Sequence, residues 1–177
     1  PEEINRKIVD HLSDINLTYS QIAKENLISE GFAEDQIFNI GSPIKEVYNF
    51  NKKKIEKSKI LKELKLRSKS FYLISFHREE NIENDDKISN FFIFLEFLDN
   101  NYNLPIIVST HYRLQKKIIE NKKLNTKRFK NVKFLKPFGY LDYCHLLNNS
   151  KIVFSDSGTL TEESSVMGFK AINLRET

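Results

Sequence analysis

The sequence predicts an α/β protein whose parallel sheet is covered by helices on both faces. Short apolar runs of strand length alternate with segments whose apolar residues recur at helical spacing. The helical segments are about ten residues long, as in βαβ units, and the two kinds of segment alternate along the whole chain. Internal repeats, low-complexity tracts and Gly/Ser linkers are absent from the sequence, so nothing interrupts this alternation.

Local signals place the elements in chain order. Pro1 followed by Glu2 and Glu3 is typical of a helix N-terminus. Gly31 and Gly168 are placed to end helices, and Pro43 suits the first turn of another. The predicted helices are residues 2–12, 20–30, the basic segment 51–70, 85–99, 112–120, 141–148 and the segment from 160 to 167. The predicted strands are residues 14–19, 36–40, 70–76, 104–110, 132–135, 152–155 and 171–174, with a polar loop at 77–84.

Two domains are expected in the 177 residues. Gly41-Ser42-Pro43 is the predicted domain boundary, because one strand ends there and the basic segment follows soon after. Residues 1–42 are then the end of a first Rossmann-like domain, and residues 43–177 a second one. Pro1 stands where Met is usual, and an apolar, strand-like run ends just before Thr177. Both ends therefore predict a piece of a longer protein.

The net charge of +4 comes from one segment. Residues 51–70 carry nine Lys and Arg against two Glu, whereas the remainder has 19 basic and 22 acidic residues. Aromatic residues do not interleave with these charges, so we expect a solvated helix face and no nucleic-acid partner.

Other classes of protein are excluded by composition. The longest apolar stretch, residues 91–94, is far shorter than a membrane span. Cys144 is the single cysteine, which rules out a disulfide framework, and with no secretory signal the expected location is the cytoplasm. No pair of residues has metal-ligand spacing, and dinucleotide and P-loop glycine motifs are absent. We therefore expect neither a metal nor a cofactor.

Ligands of open parallel sheets bind beyond the carboxyl ends of the strands. The segment Ser155–Glu163 leaves one strand and enters a helix, with hydroxyls on Ser157 and Thr159, and Gly158 between them. Free amide groups at the helix start make this an anion site suited to phosphate, and Glu163, one turn later, is placed to reach a ribose diol. Spacing alone leaves open a second interpretation, an ordinary helix cap with a capping-box Thr and Glu.

Three more segments carry candidate groups. His77, Arg78 and Glu79 follow the strand 70–76, where a His can act as acid or base and an Arg can pair with phosphate. A solvated charged loop with a capping His is the alternative. Residues 1–6 and 110–113 also hold polar clusters, although an acidic first helical turn with an exposed Arg explains the former equally well.

Four segments in register resemble one family. PEEINRKIVDHLSDINLTYS, IAKENLISEGFAEDQIFNIGSP, HREEN and SDSGTLTEESSVMGFKAINLRET resemble the non-hydrolysing UDP-N-acetylglucosamine 2-epimerases, across essentially the whole chain. The amino-acid sequences of the motifs GSP and SDSGTLTEESS are most similar to those of the branch that forms UDP-N-acetyl-L-fucosamine for capsule or O-antigen. The resemblance implies a GT-B-like fold of two Rossmann-like domains, with UDP bound mainly by the C-terminal one. It also implies a homodimer and inversion of C2 by elimination and re-addition of UDP, without NAD or metal.

The resemblance also implies roles for individual residues near the catalytic centre. Glu2 matches a carboxylate proposed for acid/base catalysis, and Arg6 matches its neighbouring arginine. His77 matches the catalytic loop histidine, while Arg78 and Glu79 are its neighbours and are expected to contact the UDP-sugar.

A second set of matches implies the UDP site. Ser157 and Gly158 match the diphosphate-binding turn, Glu163 the glutamate that holds the ribose, and Tyr143 an aromatic residue near the uracil. Thr159 departs from the usual glycine of the turn. Acids and a lysine of the family's N-terminal domain are absent, so we expect this chain alone to bind UDP in part but not to epimerise. The alternatives are a GT-B glycosyltransferase and a non-catalytic UDP-sugar-binding module.

Overall fold

A computed structural model of the chain describes residues 2–121 and 124–174. The α-helices are α1 (Glu2–Leu12), α2 (Gln21–Ser29), α3 (Pro43–Glu56), α4 (Ile60–Glu63), α5 (Glu79–Ile82), α6 (Asp85–Asn101), α7 (Tyr112–Glu120), α8 (Tyr140–Asn149) and α9 (Leu160–Met167). The strands are β1 (Asn16–Thr18), β2 (Ile37–Asn39), β3 (Tyr72–Ser75), β4 (Ile106–Ser109), β5 (Val132–Leu135), β6 (Ile152–Ser155) and β7 (Ala171–Asn173). Short 3₁₀ turns occupy Glu34–Gln36 and Thr126–Arg128.

Two predictions about local structure were wrong. The basic segment 51–70 is not one helix: α3 begins earlier, at Pro43, and ends at Glu56, and α4 is a separate single turn. Lys65 and Lys69 adopt positive φ angles of 56° and 58°, which a continuing helix excludes. The segment 77–84 is not all loop, because it contains α5. The predicted caps were correct in kind, since Gly31 and Gly168 have φ angles of 97° and 76°.

The chain divides into two compact units between Phe50 and Asn51, inside α3. The first unit contains a two-stranded parallel sheet in which β1 pairs with β2, Asn16 lying opposite Ile37. Ser20 caps α2 by accepting a hydrogen bond from the Ala23 amide at 3.1 Å.

The second unit contains a five-stranded, all-parallel sheet with the order β5-β4-β3-β6-β7. The chain moves outward from β3 to β4 and β5, and then returns to the other side of β3 with β6 and β7. The strand order therefore reverses between β3 and β6, and the crevice beyond their carboxyl ends is the expected ligand site of such a sheet.

Both faces of this sheet are buried. Alternate residues of β3 point to opposite sides, as strand geometry requires. One hydrophobic cluster contains Tyr72, Ile74, Ile82, Ile88, Phe91, Phe92, Leu95, Leu98, Ile106, Val108, Leu114 and Phe154. The other contains Ile60, Leu66, Phe71, Leu73, Ile107, Leu146, Leu147, Val153, Leu160 and Phe169. The dense aromatic run of α6 is buried, as predicted, in the first cluster.

The predicted α/β, Rossmann-like architecture, a parallel sheet with helices on both faces, is thus confirmed. The lysines and arginine of residues 51–70 are exposed, as expected for a solvated surface. Within residues 2–121 and 124–174, no helix is both long and apolar enough to cross a bilayer. The same residues contain no group of three His, Cys, Asp or Glu side chains suited to hold a metal ion.

Candidate functional site

Asp156 organises the carboxyl edge of the sheet at the point where the strand order reverses. It directly follows β6 and is fully buried. Its Oδ2 accepts hydrogen bonds from the Arg78 amide at 2.9 Å and from Asn81 Nδ2 at 3.0 Å, and both carboxylate oxygens lie within 3.2 Å of the His77 amide. The aspartate therefore ties the loop after β3 to the end of β6.

The same carboxylate holds the His77 ring. His77 Nδ1 lies 3.1 Å from Asp156 Oδ1, and Ser75 Oγ lies 3.5 Å from the same nitrogen. Burial by itself raises the pKa of Asp156, but hydrogen bonds from His77, Arg78 and Asn81 outweigh it and the pKa falls below the ordinary value. Asp156 is consequently an anion, and His77 is held by a charge-assisted contact.

An open cavity of about 250 Å³ lies beside this pair. Its volume is slightly below the roughly 300–1,000 Å³ of typical small-molecule sites. The lining comes from the ends of β3, β4 and β6, from the segment after β5, and from α8 and α9. The lining residues are Ser75, His77, Ser109, His111, Pro137, Phe138, Tyr143, Ser157 and Glu163. The structure therefore brings four of the predicted site residues together: His77, Tyr143, Ser157 and Glu163.

The turn into α9 is a chain of hydroxyl contacts that ends on Glu163. Ser157 Oγ lies 3.1 Å from Thr159 Oγ1, which donates to Glu163 Oε1 at 3.0 Å. Thr159 is the residue at the start of α9, yet its side chain caps no amide group. The capping-box alternative is therefore wrong, and the first amide groups of α9 are left without a side-chain acceptor.

The predicted departure at Thr159 needs no special backbone. Its φ and ψ of −87° and −5° lie in the right-handed region that any residue adopts. Gly158 is exposed in the same turn. The threonine thus replaces the expected glycine without strain, and it adds a hydroxyl beside Glu163.

Glu163 and Tyr143 are partly desolvated in the cavity wall. Burial raises the pKa of Glu163; the hydrogen bond from Thr159 offsets part of this, and the charge of Glu162 adds to it. Burial likewise raises the pKa of Tyr143 to about 12, even though a hydrogen bond with Ser75 acts in the opposite direction. The wall therefore offers a neutral aromatic ring with a hydroxyl, next to a carboxylate that protonates more readily than usual.

His111 also faces this cavity. Its ring centroid lies 6.4 Å from that of His77. Burial lowers the pKa of His111, and the nearby His77 and Arg113 lower it further. Its buried Nδ1 has no hydrogen-bond partner among the described residues. His111 thus adds an imidazole with a lowered pKa to the cavity wall, while its unpartnered Nδ1 is buried.

Arg78 and Glu79 have other side-chain partners in this structure. Arg78 Nη1 lies 2.9 Å from Glu80 Oε1, and Glu79 Oε2 lies 3.1 Å from Arg113 Nη2. Neither side chain lines the cavity with the four residues above.

The first unit holds Arg6 in a cluster of carboxylates. Its guanidinium contacts Glu3 at 2.8 Å, Glu30 at 2.9 Å and also Asp10. Hydrogen bonds to Glu3 and Glu30 raise the pKa of Arg6. Arg6 is thus ion-paired while its side chain is about 39% exposed, which agrees with the alternative of an acidic first helical turn and an exposed Arg. Glu2 begins α1, and its side chain lies outside the described part of the chain.

Three contributors escaped the sequence-based choice of site residues. Asp156 was seen only as part of a loop, Asn81 as part of a polar stretch, and His111 as one member of a weaker cluster. The available signal was position: Asp156 and His111 follow the ends of β6 and β4 closely, and Asn81 lies in α5, in the segment after β3, where parallel strands direct their loops to one edge.

The fold and this edge define the chain as a Rossmann-like α/β protein with a polar cavity at its topological switch point. Comparison with known proteins gives the particular family. The UDP-N-acetylglucosamine 2-epimerase profile matches residues 1–177, so the chain belongs to the UDP-N-acetylglucosamine 2-epimerase family.

Individual relatives agree with this assignment. The UDP-N-acetylglucosamine 2-epimerase of Methanocaldococcus jannaschii is 32% identical over 180 residues, which is 99% of this chain and 49% of that protein. Its structure in complex with UDP-GlcNAc and UDP superposes with a TM-score of 0.88, covering 99% of this chain and 49% of that one. The Rickettsia bellii structure is 38% identical with a TM-score of 0.84, covering 99% and 46%. The chain thus spans about half the length of the curated relatives it matches.

Proposed function

We propose that the protein to which this chain belongs is a UDP-N-acetylhexosamine 2-epimerase, and that the second unit binds the UDP part of its substrate. The observation that carries the proposal is the cavity at the switch point, where His77, Tyr143, Ser157 and Glu163 meet. A family member of similar fold was solved in complex with UDP-GlcNAc and UDP, which supports the substrate class.

The diphosphate is assigned to the turn before α9. The first amide groups of this helix have no side-chain cap, and the Ser157 hydroxyl lies just before them, where it accepts a hydrogen bond from the Thr159 amide at 3.4 Å. Helix N-termini attract anions through free amide groups and the helix dipole, so a diphosphate is stabilised there without a cation. Arg78 adds a positive charge if it leaves Glu80, an exposed pair whose loss costs about 1 kcal/mol or less. Gly158 permits close approach of the phosphate to this turn, with Thr159 beside it.

The nucleoside is assigned to the opposite part of the cavity wall. A carboxylate accepts hydrogen bonds from two vicinal hydroxyls, and Glu163 supplies one there, with Thr159 already bound to its Oε1. Tyr143 offers an aromatic surface for the uracil. Binding a ribose diol favours the ionised form of Glu163, against the burial that raises its pKa.

The chemistry assigned to the whole protein is anti elimination of UDP followed by its re-addition on the other face of C2. Elimination requires a base for the C2 proton and stabilisation of the departing diphosphate. His77 is the catalytic candidate in this unit, and Glu2 and Arg6 are those of the first unit, with Glu79 as a further substrate contact. Since the chain spans about half the length of its relatives, we expect it to bind UDP without catalysing epimerisation by itself.

Finer assignments from the sequence stay predictions. The substrate branch, a 6-deoxy-L-talosamine-type sugar nucleotide leading to UDP-N-acetyl-L-fucosamine, rests on the amino-acid sequences of residues 41–43 and 155–165. A cytoplasmic location, a homodimer and the domain division at residue 42 are likewise proposed, as is the absence of a metal or cofactor from the reaction. Assays with both UDP-GlcNAc and the 6-deoxy-L-sugar nucleotide separate the branches.

The reaction is tested on the whole protein in deuterated water. Incubation with a UDP-N-acetylhexosamine is expected to introduce deuterium at C2 and to form the C2 epimer, both observed by NMR. Absence of both changes would exclude epimerase activity, and sugar transfer to an acceptor would favour a glycosyltransferase. His77→Ala and Glu163→Ala variants that both kept full activity would refute the site assignment.

The UDP site is tested on the 177-residue chain by titration calorimetry. Glu163→Gln is expected to weaken UDP binding about tenfold, because hydrogen bonds to a charged group are worth roughly 1.5–3 kcal/mol. Glu162→Gln is the matched control, since it makes the same chemical change one residue away and outside the cavity. Equal losses in the two variants would count against a ribose contact at Glu163.

A further inference from the structure

The loop after β3 and the end of β6 place a buried carboxylate behind the ring of His77. His77 Nδ1 lies 3.1 Å from Asp156 Oδ1, while Nε2 has no hydrogen-bond partner among the described residues. The ring also lines the cavity. One ring nitrogen therefore contacts the protein, and the other is available to a ligand.

We propose that Asp156 is a positioning residue that fixes the tautomer and orientation of His77, so that Nδ1–H donates to Asp156 and Nε2 is presented to the cavity. The role in catalysis rests on the function proposed above, but the tautomer rests on the geometry alone. His77 is the group that contacts substrate, and Asp156 acts through it.

The hydrogen bonds of Asp156 determine which oxygen faces the ring. Oδ2 accepts from the Arg78 amide and from Asn81 Nδ2, and it also lies 3.2 Å from the His77 amide. Because these partners are donors, they exclude a hydrogen on Oδ2. Oδ1 accepts from the His77 amide at 3.1 Å and also faces Nδ1, where a carboxylate oxygen can only accept. The neutral ring must then carry its proton on Nδ1, and the lone pair on Nε2 is free.

This arrangement has a chemical consequence for a reaction in which His77 exchanges a proton. When Nε2 accepts a proton, the resulting imidazolium lies against an ionised, desolvated carboxylate, which stabilises the new charge. The opposite tautomer offers the cavity an N–H donor and no base. The side-chain pair is therefore suited to gain and return a proton at one defined atom, Nε2.

Replacement of Asp156 by asparagine makes a sharp test. In Asp156→Asn the amide oxygen is held at the Oδ2 position by the same donors, so the amide NH₂ faces His77 Nδ1. An NH₂ group can only donate there, and the neutral ring is expected to switch to the Nε2–H tautomer. Asp142→Asn is the matched control, because Asp142 accepts a 2.5 Å hydrogen bond from Ser58 in the same unit and does not line the cavity.

Side-chain ¹⁵N NMR of the 177-residue chain reads the tautomer directly, with His77 assigned by a His77→Gln variant. Wild type and Asp142→Asn are expected to show Nδ1–H in the neutral ring, and Asp156→Asn to show Nε2–H. A wild-type ring with Nε2–H would overturn the proposal without need of any variant, so poor folding of Asp156→Asn does not leave it untested. An unchanged tautomer in a folded Asp156→Asn would overturn it equally.

Kinetics of the whole protein complete the test. Asp156→Asn is expected to lower kcat on the order of 10²-fold or more while KM changes little. The His77 ring stays in the cavity wall, but its Nε2 then carries the proton and cannot act as the general base. Full kcat in this variant would contradict the positioning role. Failure of the epimerase assay in wild type, with the Nδ1–H tautomer observed, would instead refute only the proposed function.

Discussion

Two polar clusters that look alike in the sequence behave differently in the structure. In the first unit, Arg6 is surrounded by the carboxylates of Glu3, Asp10 and Glu30, so its charge is already neutralised by the protein. In the second unit, Asp156 accepts hydrogen bonds from the loop after β3, but the His77 ring that it contacts keeps bonding capacity. The ring lines the cavity, and its Nε2 has no hydrogen-bond partner among the described residues.

The difference shows how to separate a structural charge cluster from a binding site. Density of charged residues does not distinguish them, since PEEINR and HREEN are equally rich. Arg6 also lines an open cavity, of about 430 Å³, where the buried Thr18 Oγ1 has no hydrogen-bond partner among the described residues, so an open cavity alone does not distinguish the clusters either. What distinguishes them is the state of the ionisable groups: Arg6 needs rearrangement of its carboxylates to act on a ligand, whereas His77 lines its cavity with a ring nitrogen to spare.

The largest expected effect tests this contrast through stability. Asp156→Ala is expected to lower the free energy of unfolding by about 3 kcal/mol or more, because it leaves the hydrogen-bond donors of His77, Arg78 and Asn81 without their acceptor. Arg6→Gln is expected to cost less and to depend on salt, because Arg6 is part-exposed and solvent screens its ion pairs. Urea unfolding at low and high salt measures both. A larger loss from Arg6→Gln would reverse the comparison.

A smaller effect concerns pH, and it has opposite signs at two carboxylates. Asp156 has a lowered pKa, so its ionisation stabilises the fold above the ordinary value of 3.8, and this stability is lost as pH falls through its native pKa. Glu163 has a raised pKa, so its contribution is complete below the ordinary value of 4.5 and is lost as pH rises through its native pKa.

Unfolding measured against pH separates the two carboxylates. Glu163→Gln is expected to gain stability relative to wild type as pH rises from acid to neutral, whereas the deficit of Asp156→Asn is expected to be largest at neutral pH and to shrink in acid. Parallel stability curves for the two variants would show that these carboxylates share one environment, contrary to the structure.

The smallest expected effect concerns charges that face only solvent. The triple change Lys52→Gln, Lys53→Gln and Lys57→Gln removes three exposed charges of the basic segment. UDP affinity of the 177-residue chain, measured by calorimetry, is expected to change by about twofold or less, because salt screens exposed charges beyond about 10 Å. A tenfold loss would show that the basic segment, rather than the α9 turn, carries the anion.

Much of the secondary structure could be predicted from local signals. Helix α7 and strands β5 and β6 have the predicted bounds, because apolar period and flanking turn residues coincide there. The basic segment was harder, since its apolar residues fit one continuous helix. Whether one helix continues through residues 57–59 depends on packing. Ile55 and Ile60 are both buried, but they belong to two separate helices, α3 and α4.

Part of the candidate site could also be predicted from position along the chain. His77, Ser157 and Glu163 were found because they follow strands in a parallel pattern, and that rule requires no knowledge of distances. Arg78 and Glu79 follow β3 as well, yet their side chains pair with Glu80 and Arg113, which sequence position does not reveal.

The sequence by itself determined the α/β class, the residues that follow each strand, and the hydroxyl-bearing turn that leads into α9. Those properties depend on apolar period and on neighbours along the chain. Only the tertiary structure decided that Asp156 lies against His77, 79 positions away. The physical reason is that β3 and β6 are hydrogen-bonded neighbours although distant in sequence, so their loops share one edge and a buried carboxylate finds its donors there.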